Sequence, residues 1–180
     1  MVLVQLPAQP SKYRVAVWRE LRRSGAVPVA AGAWTLPSVP AFQPFLDRAA
    51  ALCREGGGTF TLLDAVPHDA DGEAVLRDAF AAARREEWAE FDADCGKYED
   101  EIAKEIATQK YTFAELEEEE QSLDRLRRWY RDLKRRDALE LPEAHAAAAR
   151  LKGCEAALEG YALRVYAAMR ENPPLDDGTV

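Results

Sequence analysis

The sequence predicts an α+β protein in which a small βαββαβ sandwich is followed by an all-α extension of three helices. Short apolar or β-branched runs alternate with amphipathic stretches over residues 1–66, in the order strand, helix, strand, strand, helix, strand. Two split βαβ units in this order form a ferredoxin-like sandwich, in which two helices cover one face of an antiparallel sheet. From Gly72 onward no strand signal remains, and the apolar spacing is helical.

The first strand and helix set the frame of the sandwich. The apolar run Val2–Leu6 is closed by Pro7, which predicts a strand. A helix follows, with Ser11 placed as an N-cap that accepts a hydrogen bond from the first-turn amides. Gly25 is expected to end this helix in a left-handed conformation. A spacing of four predicts the buried face: Tyr13, Val17 and Leu21.

A hairpin, a second helix and a last strand complete the sandwich. Val27 and Val29 alternate with small residues, Gly32 makes the turn, and residues 33–36 form the returning strand. Helical spacing resumes over 45–54 and ends at the three glycines 56–58. The β-branched and aromatic run 59–66 then predicts the last strand, which Pro67 closes.

Three long helices are predicted in the second half of the chain. The first keeps apolar spacing from Phe80 to Ile106. The second starts at the capping-box sequence 112–115 and runs to about Arg136. Pro142 opens the third. The predicted organisation is therefore a sandwich domain at 1–70, a helical bundle at 71–171 and a disordered tail at 172–180.

Composition limits the classes of function. The net charge of −8 is uneven, since residues 1–60 carry +4 and the remainder −12. This balance argues against broad non-specific DNA binding but permits a local basic face. The sequence contains neither a signal peptide nor an apolar run long enough to span a membrane, and its three cysteines are widely spaced. A cytoplasmic protein with free thiols and no membrane partner is expected.

The most suggestive chemistry lies on the first helix. Guanidinium groups suit phosphates and tetrahedral oxyanions, and an indole ring can stack against them. Three of the cations share one stripe, which favours phosphate contact. A solvated helix face is the alternative interpretation. The candidate residues for binding a ligand or nucleic acid are Lys12, Arg14, Trp18, Arg19, Arg22 and Arg23.

A second basic stretch lies at the end of the helix predicted over 112–136. Arg128 and Trp129 within it are further candidates for contact with a nucleic-acid backbone. The helix begins with the acidic run 117–120, and negative charge at the start with positive charge at the end is what the helix dipole prefers. Helix stabilisation is therefore the alternative explanation of this stretch.

Catalytic and metal chemistry find no support in the sequence. The two histidines are far apart, and no phosphate loop, nucleophile elbow or zinc-protease motif occurs. The three cysteines fall on or beside apolar helix faces, where burial dulls the thiolate. We predict no catalytic residue, no metal, no cofactor and no enzyme activity.

Two sequence blocks resemble one family. The stretch LPAQPSKYRVAVWRELRRSGAVPVAAGAWTLP with the later GGGTFTLLDA, and KYTFAELEEEEQSLDRLRRWYRDLKRRD with CEAALEGYALRVY, resemble the N-terminal domain of ChrB, a chromate-resistance regulatory protein. The strand–helix–strand core is more remotely similar to the middle domain of PaaX-type repressors and to small ferredoxin-like CRISPR-associated nucleases. The resemblance implies a chromate-responsive transcriptional regulator that binds operator DNA or chromate. Full-length ChrB proteins carry a further C-terminal domain, so a partner protein or truncated relative is also expected.

Two partner hypotheses follow. The alternative to a regulator is a non-DNA-binding accessory or scaffold module that docks a separate sensor through its long helices. Aromatic side chains are abundant in the second half of the chain, which predicts a homodimer unless the bundle hides them within the monomer.

Overall fold

The computed structural model describes residues 1–171, so the predicted disordered tail lies outside the described residues. Over these residues the protein is α+β and 71% helical, with one four-stranded antiparallel sheet and five α-helices. In chain order these are β1 Val2–Gln5, α1 Ser11–Arg23, β2 Val27–Ala30, β3 Ala33–Thr35, α2 Gln43–Glu55, β4 Thr59–Leu62, α3 Ala70–Ala107, α4 Phe113–Arg136 and α5 Pro142–Glu171. A short 3-10 turn, Pro40–Phe42, precedes α2.

The sheet has the strand order β2-β3-β1-β4, and every neighbouring pair is antiparallel. Val2 of the central strand β1 pairs with Trp34 on one side and with Leu62 on the other. The α+β class, the single antiparallel sheet and the helical second half are therefore confirmed.

Helices α1 and α2 share one hydrophobic core with the sheet. The predicted face of α1 is confirmed, since Val17 and Leu21 are buried and Tyr13 is half-buried. These side chains pack with Val2, Trp34, Leu46, Ala49 and Cys53. Burying the inner stripe of α1 leaves the opposite side of the helix, which carries its cations, facing solvent.

The two ends of α1 differ in how well the sequence predicts them. The prediction for Ser11 is wrong, because Pro10 is the N-cap residue and no side chain caps the helix. The proline ring fixes φ at −76° with an extended ψ of 139°, which suits the N-cap position. Gly25 is confirmed as the left-handed stop, with φ +80°. Its amide bonds the Arg22 carbonyl and the Ala26 amide bonds the Leu21 carbonyl, a Schellman arrangement.

The last strand is shorter than predicted. It ends at Leu62 rather than at residue 66, and Leu62 pairs with Val2, the first residue of β1. The Met1 amino group still donates to the Leu63 carbonyl oxygen at 2.7 Å, and the Leu63 amide donates to the Met1 carbonyl oxygen at 2.8 Å. The segment after Leu63 therefore leaves the sheet, and Val66 is 92% exposed.

The chain divides into two compact units. The first comprises residues 1–87 and 133–141, and the second comprises residues 88–132 and, of the described chain, 142–171. Helices α3 and α4 each contribute to both units. The predicted domain division at residue 70 stays a prediction.

The second unit is a helical assembly with an aromatic core. Phe91 packs edge-on against Trp88 and Trp129, at centroid distances of 6.1 and 5.5 Å. Pro142 opens α5 as predicted. At the start of α4, the Thr112 hydroxyl accepts the Glu115 amide hydrogen at 3.2 Å, which is the threonine half of the predicted capping box. The Glu115 carboxylate accepts a bond from Lys110 instead, at 3.4 Å.

Candidate anion-binding surface

The outer side of α1 carries a concentrated basic surface. Lys12, Arg14 and Arg19 are exposed, and within residues 1–171 they form no ion pair. A helix of 13 residues is about 20 Å long, so these charges are distributed along a convex rod. We call the set Lys12, Arg14, Trp18, Arg19, Arg22 and Arg23 the α1 basic face.

The single acidic residue of α1 does not lie on the exposed side of the helix, so it does not neutralise the exposed cations. Glu20 is buried, with 5% of its surface exposed. It accepts a bond from Arg23 at 3.1 Å and lies 3.5 Å from Arg48 of α2. Arg23 is therefore partly neutralised, whereas Lys12, Arg14 and Arg19 are exposed and keep their charge toward solvent.

An indole ring lies among these cations. Trp18 is 50% exposed, and the neighbouring Val15 is 45% exposed. The guanidinium of Arg22 lies over the Trp18 ring, with its central carbon 5.9 Å from the ring centroid. This contact pre-orders Arg22 beside a flat apolar surface, as in sites that hold a phosphate next to a sugar or a base.

The other two predicted site residues lie in the second unit. Arg128 of α4 is exposed, and Trp129 is half-buried against Phe91. Their neighbour Arg127 bonds Asp124 at 3.1 Å and Glu155 at 2.9 Å. The structure thus gathers the six α1 residues on one helix face and assigns Arg128 and Trp129 to a different compact unit.

One buried arginine was missed by sequence reasoning. Arg84 of α3 is 1% exposed; it donates to the Gly25 carbonyl and to the Glu87 carboxylate, each at 3.1 Å. Arg136 also lies 3.6 Å from Glu87. Burial lowers the pKa of Arg84, and the nearby Glu87 opposes that shift. The sequence carries no distinguishing signal, because Arg84 stands in the charged run 84–87 like an ordinary surface residue.

A cleft in the first unit was also missed. It has a volume of about 500 Å³, within the usual range for small-ligand sites. Its walls include the apolar Leu36 and Phe80 and the charged Asp64 and Arg77, and none of its lining residues belongs to α1. Residues of two loops and of α3, far apart in sequence, form it, so no local motif could have revealed it.

The positions of the histidine, cysteine and acidic side chains limit the metal and thiol chemistry of residues 1–171. Among residues 1–171 no three histidine, cysteine or acidic side chains are grouped to hold a metal ion. All three cysteines are free and buried, as the sequence predicts. Burial raises the pKa of each thiol, to about 12 for Cys95. None of the helices over residues 1–171 is long and apolar enough to cross a bilayer.

The family comparison gives a clear result. The family model described as "Protein ChrB, N-terminal" matches residues 14–172. No curated protein and no solved structure matches the chain. Because the match covers most of the chain, including nearly all of the α1 basic face, the protein belongs to the ChrB N-terminal family, which is associated with chromate resistance.

Proposed function

We propose that this protein regulates chromate-resistance genes and that its α1 basic face contacts the phosphates of operator DNA. The observation that carries the proposal is that Lys12, Arg14 and Arg19 are exposed on one helix and form no ion pair with any of residues 1–171. Such cations bind phosphates by releasing condensed counterions, which gives affinity without sequence information. The major groove, about 12 Å wide, also admits a helix.

DNA is favoured over a small oxyanion for geometric reasons. A dianion such as chromate needs donors that converge on a point, whereas the α1 cations radiate from a convex helix. A DNA backbone offers phosphates spread along a strand and matches an extended row of cations. Chromate binding at this face stays a prediction, and a titration of the protein with chromate tests it.

Two further features belong to the proposal. The strand order β2-β3-β1-β4 with antiparallel neighbours supports a ferredoxin-like sandwich that presents α1 on its outer layer. Three free cysteines support action in the reducing cytoplasm. DNA contact by α1 does not require any residue of the second unit.

The test measures binding to the DNA upstream of a chromate transporter gene by fluorescence anisotropy over a range of salt concentrations. Replacing Lys12 and Arg19 together by alanine should reduce the salt slope by roughly 2 and the affinity by about 10- to 100-fold. Arg77→Ala is the matched control, because Arg77 is an exposed arginine of the same unit that lies off α1. Unchanged binding of the double variant would refute the role of α1.

A scaffold module is the second candidate function, and one surface of the second unit favours it. Phe113 of α4 and Tyr166 of α5 are 54% and 50% exposed and pack on each other at 5.8 Å. Leu163, 67% exposed, stands one helical turn from Tyr166. Apolar side chains grouped in this way suit a protein partner. Wild-type protein that binds no operator DNA at low salt would favour this function.

Fewer exposed aromatic side chains support the proposed homodimer than the sequence suggests. Trp88, Phe91, Tyr98 and Tyr161 are buried within the second unit, so their apolar area does not require a partner. Only the exposed surface around Tyr166 remains as an argument from that half of the described chain. Light scattering at micromolar concentration decides the question, because a dimer has about twice the 20.1 kDa of the chain.

A further inference from the structure

Two cysteines of the second unit face each other across two helices. Cys95 of α3 and Cys154 of α5 are both completely buried. The Cys154 thiol donates to the Cys95 carbonyl oxygen at 3.7 Å, so the Cys154 sulfur lies against the backbone that carries the Cys95 side chain. The third cysteine, Cys53, lies in the first unit and donates to the Gln5 carbonyl. Cys95 and Cys154 therefore form a dithiol.

Glycines beside both cysteines keep space for polar groups. Gly96 follows Cys95, and a Cβ atom there would stand 3.2 Å from Nη2 of Arg150. Gly153 precedes Cys154, and a Cβ atom there would stand 3.0 Å from Oε1 of Glu99. Larger side chains at these positions would push the guanidinium and the carboxylate away from the thiols.

The polar groups connect the dithiol to solvent. Arg150 bonds Glu99 at 2.8 Å and lies 3.5 Å from Asp92. Glu99 in turn lies 4.0 Å from the Cys154 sulfur, close enough to accept its proton. The side chains of Arg150 and Glu99 are 37% and 29% exposed, so part of each polar side chain beside the buried cysteines contacts solvent.

This arrangement suits a slow but specific oxidation. The positive charge of Arg150 acts to lower the pKa of both thiols, although burial outweighs it and keeps each pKa above its ordinary value. The pair is therefore protonated near neutral pH, and only a small fraction is thiolate at any time. Once one sulfur reacts, the second is already in place to resolve the product.

We propose that Cys95 and Cys154 form an oxidation site that hydroperoxides convert into an intramolecular disulfide between α3 and α5. One thiolate attacks a peroxide oxygen, the O–O bond breaks, and a sulfenic acid and one water (or alcohol) form. The second thiol then attacks the sulfenic sulfur, the S–O bond breaks and a water leaves. The protein loses two electrons and two protons, and the peroxide is reduced.

The test uses the wild-type chain treated with hydrogen peroxide, after which free thiols are alkylated and the protein is analysed by mass spectrometry. We expect the mass before alkylation to fall by about 2 Da, because two hydrogen atoms are lost. A peptide pair linked through Cys95 and Cys154 should appear, with Cys53 alkylated, and a thiol reductant should reverse the change. The rate should increase with pH, because the thiolate fraction increases.

Two variants separate this site from general thiol oxidation. Cys53→Ser should form the disulfide as the wild type does, and Cys95→Ser should form none. The proposal is overturned if the wild-type product is a sulfinic acid, a link through Cys53 or a link between chains. Three free thiols after prolonged peroxide treatment also overturn it. The decisive mapping uses the wild-type protein and does not depend on how well a variant folds.

Discussion

The basic stretches of α1 and α4 look alike in sequence and differ in structure. In α1 the one acid, Glu20, is buried beneath the helix, and Lys12, Arg14 and Arg19 point to solvent without ion pairs in the described residues. In α4, Arg127 bonds carboxylates on two helices, whereas its neighbour Arg128 is exposed and forms no ion pair within residues 1–171. The density of arginine along a helix therefore does not identify a binding surface. The position of the nearest acids decides, for each arginine, whether its charge is already paired within the protein.

Arg84 of α3 is buried, and replacing it should cause the largest loss of stability. Arg84→Ala removes the donors to the Gly25 carbonyl and to Glu87 and leaves a buried void. Breaking a buried ion pair from one side costs about 3–5 kcal/mol. We expect a loss of this size in the free energy of unfolding, measured by urea denaturation.

Two further variants make the Arg84 prediction specific. Arg77→Ala, at an exposed position of the same helix, should change stability by less than about 0.5 kcal/mol. Arg84→Met keeps much of the volume and should lose less than the alanine variant. Equal stability of Arg84→Ala and wild type would contradict a structural role for this guanidinium.

The buried acid of α1 provides the next test. Glu20→Gln removes the negative charge that holds Arg23 and Arg48. Charge-assisted hydrogen bonds contribute about 1.5–3 kcal/mol, and glutamine replaces part of them, so we expect a stability loss of about 1–2 kcal/mol. Releasing two arginines should at the same time strengthen DNA binding about two- to fivefold and steepen its salt dependence. Weaker DNA binding in a folded variant would contradict the proposed α1 contact.

The sequence predicts periodic features well and non-local ones poorly. The α1 stripe, the Gly25 stop and the start of α5 at Pro142 depend on nearby residues, and the structure confirms them. The length of β4 depends on where its partner β1 begins, 60 residues earlier in the chain. The local composition of residues 59–66 therefore predicted a longer strand than the structure contains.

The candidate site follows the same rule. The α1 cations share one helix, so spacing alone could group them. Arg84 and the cleft beside Phe80 depend on tertiary contacts that no spacing encodes. The exposure of Tyr166 and the burial of Tyr161 five residues earlier likewise result from packing, and composition counted both rings alike.

A buried acid in the second unit gives a pH-dependent test. Burial raises the pKa of Glu119, and the neighbouring carboxylates of Glu101 and Glu105 raise it further. When the pKa of a carboxyl group is higher in the folded state than in the unfolded state, the ionised form of that group destabilises the folded state. Glu119→Gln should therefore be more stable than wild type at pH 7.

This advantage should shrink as the pH falls through the raised pKa toward the ordinary glutamate value of about 4.3. Urea denaturation between pH 4 and pH 8 measures it. Glu90→Gln, at an exposed position of the same unit, is the control and should show little pH-dependent difference. An advantage that grows at low pH would contradict the assignment.

The smallest expected effect concerns the paired charges of α4. Arg127 and Glu155 are about 40% exposed, and their 2.9 Å contact lies where water screens it. Hydrogen bonds to Glu155 and Asp124 raise the pKa of Arg127, which shows that both partners favour its charged form. A double-mutant cycle with Arg127→Ala and Glu155→Ala should give a coupling of about 0.2–1 kcal/mol that falls at high salt. Arg127→Ala should leave the affinity for operator DNA unchanged, whereas the Lys12 and Arg19 double variant should reduce it by about 10- to 100-fold. If Arg127→Ala weakened DNA binding as strongly, the contrast between α1 and α4 would fail, because a cation already paired within the protein would then be acting as a phosphate ligand.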